Sequence, residues 1–216
     1  MFHNFITQLK EKLQQPLPGT EAQFKMASRF RLPIDMEQFD LSKARKGAVL
    51  ILLYPHENKI NTVLTLRQSY DGVHSGQVSF PGGKLDPTDE SLAAAALREA
   101  EEEVGVNKNE ITLIGNLSNL YIPPSNFLVS PFVGKMDRKP LLIKHEREVE
   151  KIIEVPITYF LDETIKEKKI ITPSEFVSFE APYYNLEGHT VWGATAMILS
   201  ELMEVIRSLT PTLSKG

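Results

Sequence analysis

Glu99, Glu102 and Glu103 stand three and four residues apart within the run Arg98-Glu99-Ala100-Glu101-Glu102-Glu103-Val104-Gly105. On a helix that spacing gathers the three carboxylates on one side, where they repel one another by roughly 0.2–0.5 kcal/mol per pair. A hard divalent cation removes the repulsion, and oxygen-only ligands are what magnesium or manganese prefers. A glutamate-rich helix by itself is usually a solvated face. Here Pro81-Gly82-Gly83 lies upstream, and a glycine pair lets the backbone approach a ligand closely. The Gly83 carbonyl could complete a metal's coordination. Arg98 is the one cation beside the cluster, and its guanidinium is expected to fork onto a neighbouring carboxylate, Glu90 being the obvious candidate.

These groups need a helix at residues 89–104, with Asp86-Pro87 as cap and first-turn proline and Gly105 as the stop. Ala93, Leu97, Ala100 and Val104 fall opposite the glutamates and are expected to bury against a sheet. The continuous apolar run 48–54 reads as a buried strand, with 62–67 as its partner across a turn at 55–58. Residues 72–83 read as a loop with a brief strand at 78–80. Strands are expected at 111–121, 127–136, 170–171 and 176–184, a short helix at 148–154, and a final helix at 192–209. Near the start, Phe2, Phe5, Ile6, Leu9 and Leu13 share helical spacing. That helix is expected to lie on the domain or on a second copy of the chain, which leaves a homodimer open. The division expected is a helix and extended arm over 1–46, one domain over 47–210 and a tail over 211–216. Strands mixed with helices in this order indicate an α/β (α+β) sandwich around a mixed sheet.

Composition narrows the chemistry. At 216 residues the chain suits one domain with extra elements. A net charge of −4 without a long basic run makes polymeric nucleic acid a poor partner and does not exclude a small phosphorylated substrate held by metal ions. There is no cysteine, which excludes disulfides and thiolate-held zinc or iron and makes a cytoplasmic setting the natural expectation. The longest apolar run, 48–54, is too short to span a bilayer, so no membrane association is expected.

The stretch from Gly83 to Val106 resembles the Nudix box. Its pieces here are Gly83, Glu90, Arg98, Glu99, Glu102, Glu103, Gly105 and Val106. Six residues separate Gly83 from Glu90, one more than the general pattern, as in the coenzyme A pyrophosphatase branch of that family. Leu64-Thr65-Leu66-Arg67, Gly76 and Phe80-Pro81-Gly82-Gly83 are similar to that branch's upstream signature. Gln68 and Gly72 depart from it, the latter standing where a basic residue is usual. Ile122-Pro123-Pro124-Ser125-Asn126-Phe127 and Val191-Trp192-Gly193-Ala194-Thr195-Ala196 are similar as well.

The resemblance implies an α/β/α sandwich that hydrolyses a P–O–P linkage with Mg²⁺ or Mn²⁺. Glu99, Glu102, Glu103 and Arg98 would be catalytic, and Gly83, Glu99, Glu102 and Glu103 the metal ligands. Glu148 or Glu150 could add a further acid, or belong to a solvated charge run. Arg67 could meet a substrate phosphate or pair with a carboxylate; His74 and Lys84 are further substrate-binding candidates. The expected substrate is coenzyme A or an acyl derivative, cleaved to 3′,5′-ADP and 4′-phosphopantetheine. Alternatives are another nucleotide, such as ADP-ribose or a dinucleotide, and a non-catalytic nucleotide-binding regulator.

Overall fold

The computed structural model describes residues 1–28, 40–68, 76–174 and 177–209. Gly72, His74 and the expected tail at 211–216 lie outside the described residues. The central strand is β1 (Arg45–His56), which forms a hairpin with β2 (Lys59–Arg67) through Glu57 and Asn58, both at positive φ. Two such residues suit a tight hairpin whose twist matches its strands.

On its other edge β1 pairs in parallel with β7 (Phe127–Lys135). All remaining pairs of this eight-stranded sheet are antiparallel, so it is mixed. β3 (Val78–Ser79) and β8 (Val149–Pro156) pair with β2, and β5 (Thr112–Asn116) and β6 (Leu120–Ile122) with β7. Along residues 47–49, β1 instead takes β4 (Gly82–Lys84) on the edge that β2 occupies at residues 54–56.

Both faces of the sheet are covered, which is why β1 reads as an unbroken apolar run. Ala48, Leu50, Leu52 and Tyr54 pack under α3 (Leu92–Val104). Ile51 and Leu53 face α1 (Phe2–Leu13) and α4 (Gly193–Arg207). The result is an α/β/α sandwich. α1 buries Phe5, Ile6, Leu9 and Leu13 in this chain's own core.

A short helix within the expected extended arm, α2 (Gly19–Phe24), packs on α4. Its anchor is Glu201, fully buried on α4. The Glu201 carboxylate accepts from the Gly19 and Ser118 amides at 3.1 and 3.3 Å and from Gln23 Nε2 at 2.9 Å.

Several boundaries differ from expectation. Residues 148–154 form no helix but enter β8, because Val149, Ile153 and Val155 fall at even spacing and bury against β2. The mixed charges of Glu150, Lys151 and Glu154 had mimicked a solvated helix. The strand expected over 111–121 divides into β5 and β6. The segment after residue 165 forms a separate antiparallel sheet of β9 (Lys166–Ser174), β10 (Val177–Leu186) and β11 (His189–Trp192). Among the described residues, no helix is long and apolar enough to cross a membrane.

Candidate active site

Ser91, rather than Asp86-Pro87, caps α3, its hydroxyl accepting from the Ala94 amide at 3.1 Å. Gly105 ends the helix in the left-handed conformation and its amide donates to the Glu101 carbonyl. The stripe that packs on the sheet runs through Ala96, Ala100, Glu103 and Val104. A carboxylate therefore sits on the buried face, where Ala93 and Leu97 were expected and are only half-buried.

Glu103 has just 3% of its side chain exposed. Its Oε2 accepts from the Gly82 amide at 3.3 Å, and its Oε1 lies 3.9 Å from Arg67 Nη1. Burial pushes its pKa from 4.5 up to about 7, with Arg67 and the Gly82 amide opposing and the charges of Glu99 and Glu148 adding to the rise. Glu99 is half-buried and is also pushed upward by burial, against the pull of Arg98 and with a push from Glu102 and Glu148. It presses on Gly83, where an added β-carbon would come within 2.4 Å of Glu99 Oε1. Position 83 therefore admits only glycine while Glu99 keeps this place.

Arg98 forks onto Asp89, not Glu90. Nε and Nη2 donate to the two Asp89 oxygens, each at 2.9 Å. The cause is local. The Thr88 amide donates to Asp86 Oδ1 and the Asp86 amide to Asp89 Oδ2, closing a turn that aims Asp89 at the helix while Glu90 points to solvent. The fork holds the Asp89 carboxyl below the usual range. Arg98 Nη1 also reaches Glu99 Oε1 at 3.0 Å and Glu102 Oε2 at 3.1 Å. Glu102, 55% exposed, thus leans toward Arg98.

The loop before β8 is tied to the end of α3. The Ile143 amide donates to the Val104 carbonyl at 2.9 Å and the His145 amide to the Glu103 carbonyl at 3.0 Å. The Glu148 carbonyl accepts from the Gln68 amide, next to Arg67. This seating brings the exposed Glu148 close enough to act on Glu99 and Glu103. Glu150 points to solvent from β8. Lys84 is exposed at the end of β4, and Arg67 Nε is buried without a hydrogen-bond partner among the described residues.

Glu99, Glu103, Gly83, Arg67 and Glu148 therefore surround one end of α3, and Glu150 stays apart. Among the described residues no three carboxylate or imidazole groups are already gathered as a cage for an ion. The surroundings nonetheless fit a hard cation. The donors are all oxygen, the carboxylates of Asp89, Glu99, Glu102, Glu103 and Glu148 outnumber the guanidiniums of Arg67 and Arg98, and the last turn of α3 carries no basic residue, leaving the negative end of the helix dipole uncompensated. Asp89 and the Gly82 amide went unread in the sequence, since neither position bears a spacing relation to the helix.

Residues 44–187 match the family model for the NUDIX domain. The Nudix hydrolase NudL of Photorhabdus laumondii is 33% identical over 181 residues, spanning 83% of this chain and 95% of that protein. The peroxisomal coenzyme A diphosphatase of Mus musculus is 35% identical over 131 residues, 61% of this chain and 55% of that protein. The crystal structure of the Nudix hydrolase RenU from M. smegmatis shares the fold at 14% identity with a TM-score of 0.53, covering 77% of this chain and 88% of that one.

Proposed function

The chain belongs to the Nudix hydrolase family, and from that premise we propose that it hydrolyses the pyrophosphate linkage of coenzyme A or acyl-coenzyme A, giving 3′,5′-ADP and 4′-phosphopantetheine. The observation that carries the hydrolytic part is the meeting of the Gly82-Gly83 backbone with the buried Glu103 and half-buried Glu99 carboxylates. Support for coenzyme A comes from the segment Leu64 to Gly83 and from the 35% identical relative named as a coenzyme A diphosphatase.

Glu99, Glu102, Glu103 and the Gly83 carbonyl would hold Mg²⁺ or Mn²⁺. When bound, such an ion acidifies water and neutralises charge growing on phosphoryl oxygens. Arg98 is a positioning residue, since its fork onto Asp89 is separate from its contacts to Glu99 and Glu102 and would persist if those two carboxylates held a cation. Arg67 lies beside Glu103 with about a third of its side chain exposed, and would meet phosphoryl oxygens through that exposed end. Glu148 is the group to take the proton as water oxygen attacks phosphorus and the bridging P–O bond breaks.

The test is turnover of a panel of pyrophosphates with Mg²⁺. Coenzyme A or an acylated form should show a higher kcat/KM than ADP-ribose, NADH or diadenosine polyphosphates. A clear lead for one of the latter would move the substrate elsewhere and leave the hydrolase chemistry standing.

A further inference from the structure

The segment Ile122 to Phe127 has no part in the chemistry above, yet it builds a defined corner. A short turn at Pro123–Ser125 delivers Asn126 into the left-handed region at φ 51°. Tyr121 Oη donates to Asn126 Oδ1 at 3.0 Å, Asn126 Nδ2 donates to the Lys43 carbonyl at 3.2 Å, and the Arg45 amide donates to the Asn126 carbonyl at 2.8 Å. The corner thereby locks the start of β7 to the start of β1. Arg45 comes into register with Phe127, and its guanidinium carbon lies 4.3 Å from the ring centroid. A guanidinium over an aromatic face is attracted to it, which limits where the group can swing while leaving N–H donors for a ligand.

The platform adjoins the candidate catalytic centre. Gly47, between Gly83 of β4 and Phe127 of β7, is so closely flanked that an added β-carbon would lie 2.8 Å from the Gly83 carbonyl oxygen and 3.3 Å from the Phe127 ring. Directly paired residues project to one face, so Lys84, opposite Gly47, shares the face of Arg45. β4 is three residues long and ends at Lys84. Arg45 lies one strand across from Gly83 and three residues along β1 from Gly83's partner Ala48, a separation of about 11 Å from a spacing of about 4.8 Å and a rise of about 3.3 Å per residue. The other arginines near the centre are engaged, Arg98 by Asp89 and Arg67 by Glu103. Arg45 is exposed, and among the described residues no carboxylate forms an ion pair with it.

We infer that Arg45, held over the Phe127 ring, receives the 3′-phosphate that distinguishes coenzyme A from plain ADP derivatives, with Lys84 adding charge beside it. This rests on the coenzyme A reading, and deepens it by naming a specificity-determining residue. A planar fork suits a phosphate dianion better than a point charge does.

The experiment is calorimetric binding of 3′,5′-ADP and of 5′-AMP to the wild-type protein, Arg45→Ala and Arg45→Lys, with Mg²⁺ present. The wild type should prefer 3′,5′-ADP by on the order of ten- to a hundredfold, as a charged hydrogen bond allows. Arg45→Ala should abolish that preference with little change for 5′-AMP, and Arg45→Lys should keep part of it. No preference in the wild type, an undiminished preference in Arg45→Ala, or equal loss on both ligands would overturn the inference. No turnover is needed, so a protein that binds 3′,5′-ADP through Arg45 but cleaves coenzyme A poorly refutes the proposed reaction and not the subsite.

Discussion

Replacing Glu103 by glutamine should stabilise the metal-free protein and disable the enzyme. The carboxyl is 3% exposed, and burial lifts its pKa from 4.5 to about 7. A carboxyl whose folded pKa lies above its unfolded value favours the fold most below the unfolded value. That contribution is lost as pH rises from about 4.5 through about 7. At 1.36 kcal/mol per pH unit, keeping Glu103 ionised at pH 8 costs about 3 kcal/mol of stability. Glutamine has nearly the same shape and can still accept from the Gly82 amide, but it forgoes the Arg67 contact at 3.9 Å. A net gain of about 2 kcal/mol is expected, or roughly 4–8 °C in Tm for a chain of this length. The assay is thermal unfolding in chelator at pH 8 and pH 5, with the gain present at pH 8 and nearly gone at pH 5. Under Mg²⁺ the order should narrow or reverse, because only wild type gains fully from binding the ion, while kcat of the variant falls by on the order of a hundredfold or more. A variant less stable than wild type at pH 8 in chelator, or a gain equal at both pH values, would refute the reasoning.

Hydrolysis should vanish in excess chelator and return with Mg²⁺ or Mn²⁺, measured as phosphate-ester release; undiminished turnover after exhaustive metal removal would take the carboxylates out of the chemistry. Glu148→Gln should lower kcat by about a hundredfold to ten-thousandfold, as loss of a general base does, whereas Glu150→Gln, at a position that points to solvent, should stay near the wild-type rate; steady-state rates separate the two. Arg67→Ala should raise KM equally for coenzyme A and its 3′-dephosphorylated form, unlike Arg45→Ala, because Arg67, beside Glu103, would contact the pyrophosphate that both share.

What could be read from the sequence was what depended on periodicity. The 3.6-residue repeat located α3 and α4, and the apolar run located β1, because both faces of that strand are buried. Periodicity could not say that Glu103 occupies the sheet-facing stripe. A carboxylate there violates the burial rule that makes such patterns legible, and only the Gly82 amide and Arg67, distant in sequence, make the placement tolerable. The choice of Asp89 over Glu90 was hidden for a similar reason, since it turns on a four-residue loop closed by Asp86 and Thr88. β8 was misread because an edge of alternating charges outweighed three apolar residues at even spacing.

Glu201 has a consequence for where this protein can be cut. The family match begins at residue 44, yet two of the three donors to this buried carboxylate, the Gly19 amide and Gln23 Nε2, come from before that point. A chain shortened to start at residue 44 would lose those two donors together with the cover that α1 and α2 give α4, so Glu201 and the apolar residues around it would open to water. The stretch recognisable as the family's domain is therefore shorter than the unit that folds, and the missing part is held by an acid on the last helix.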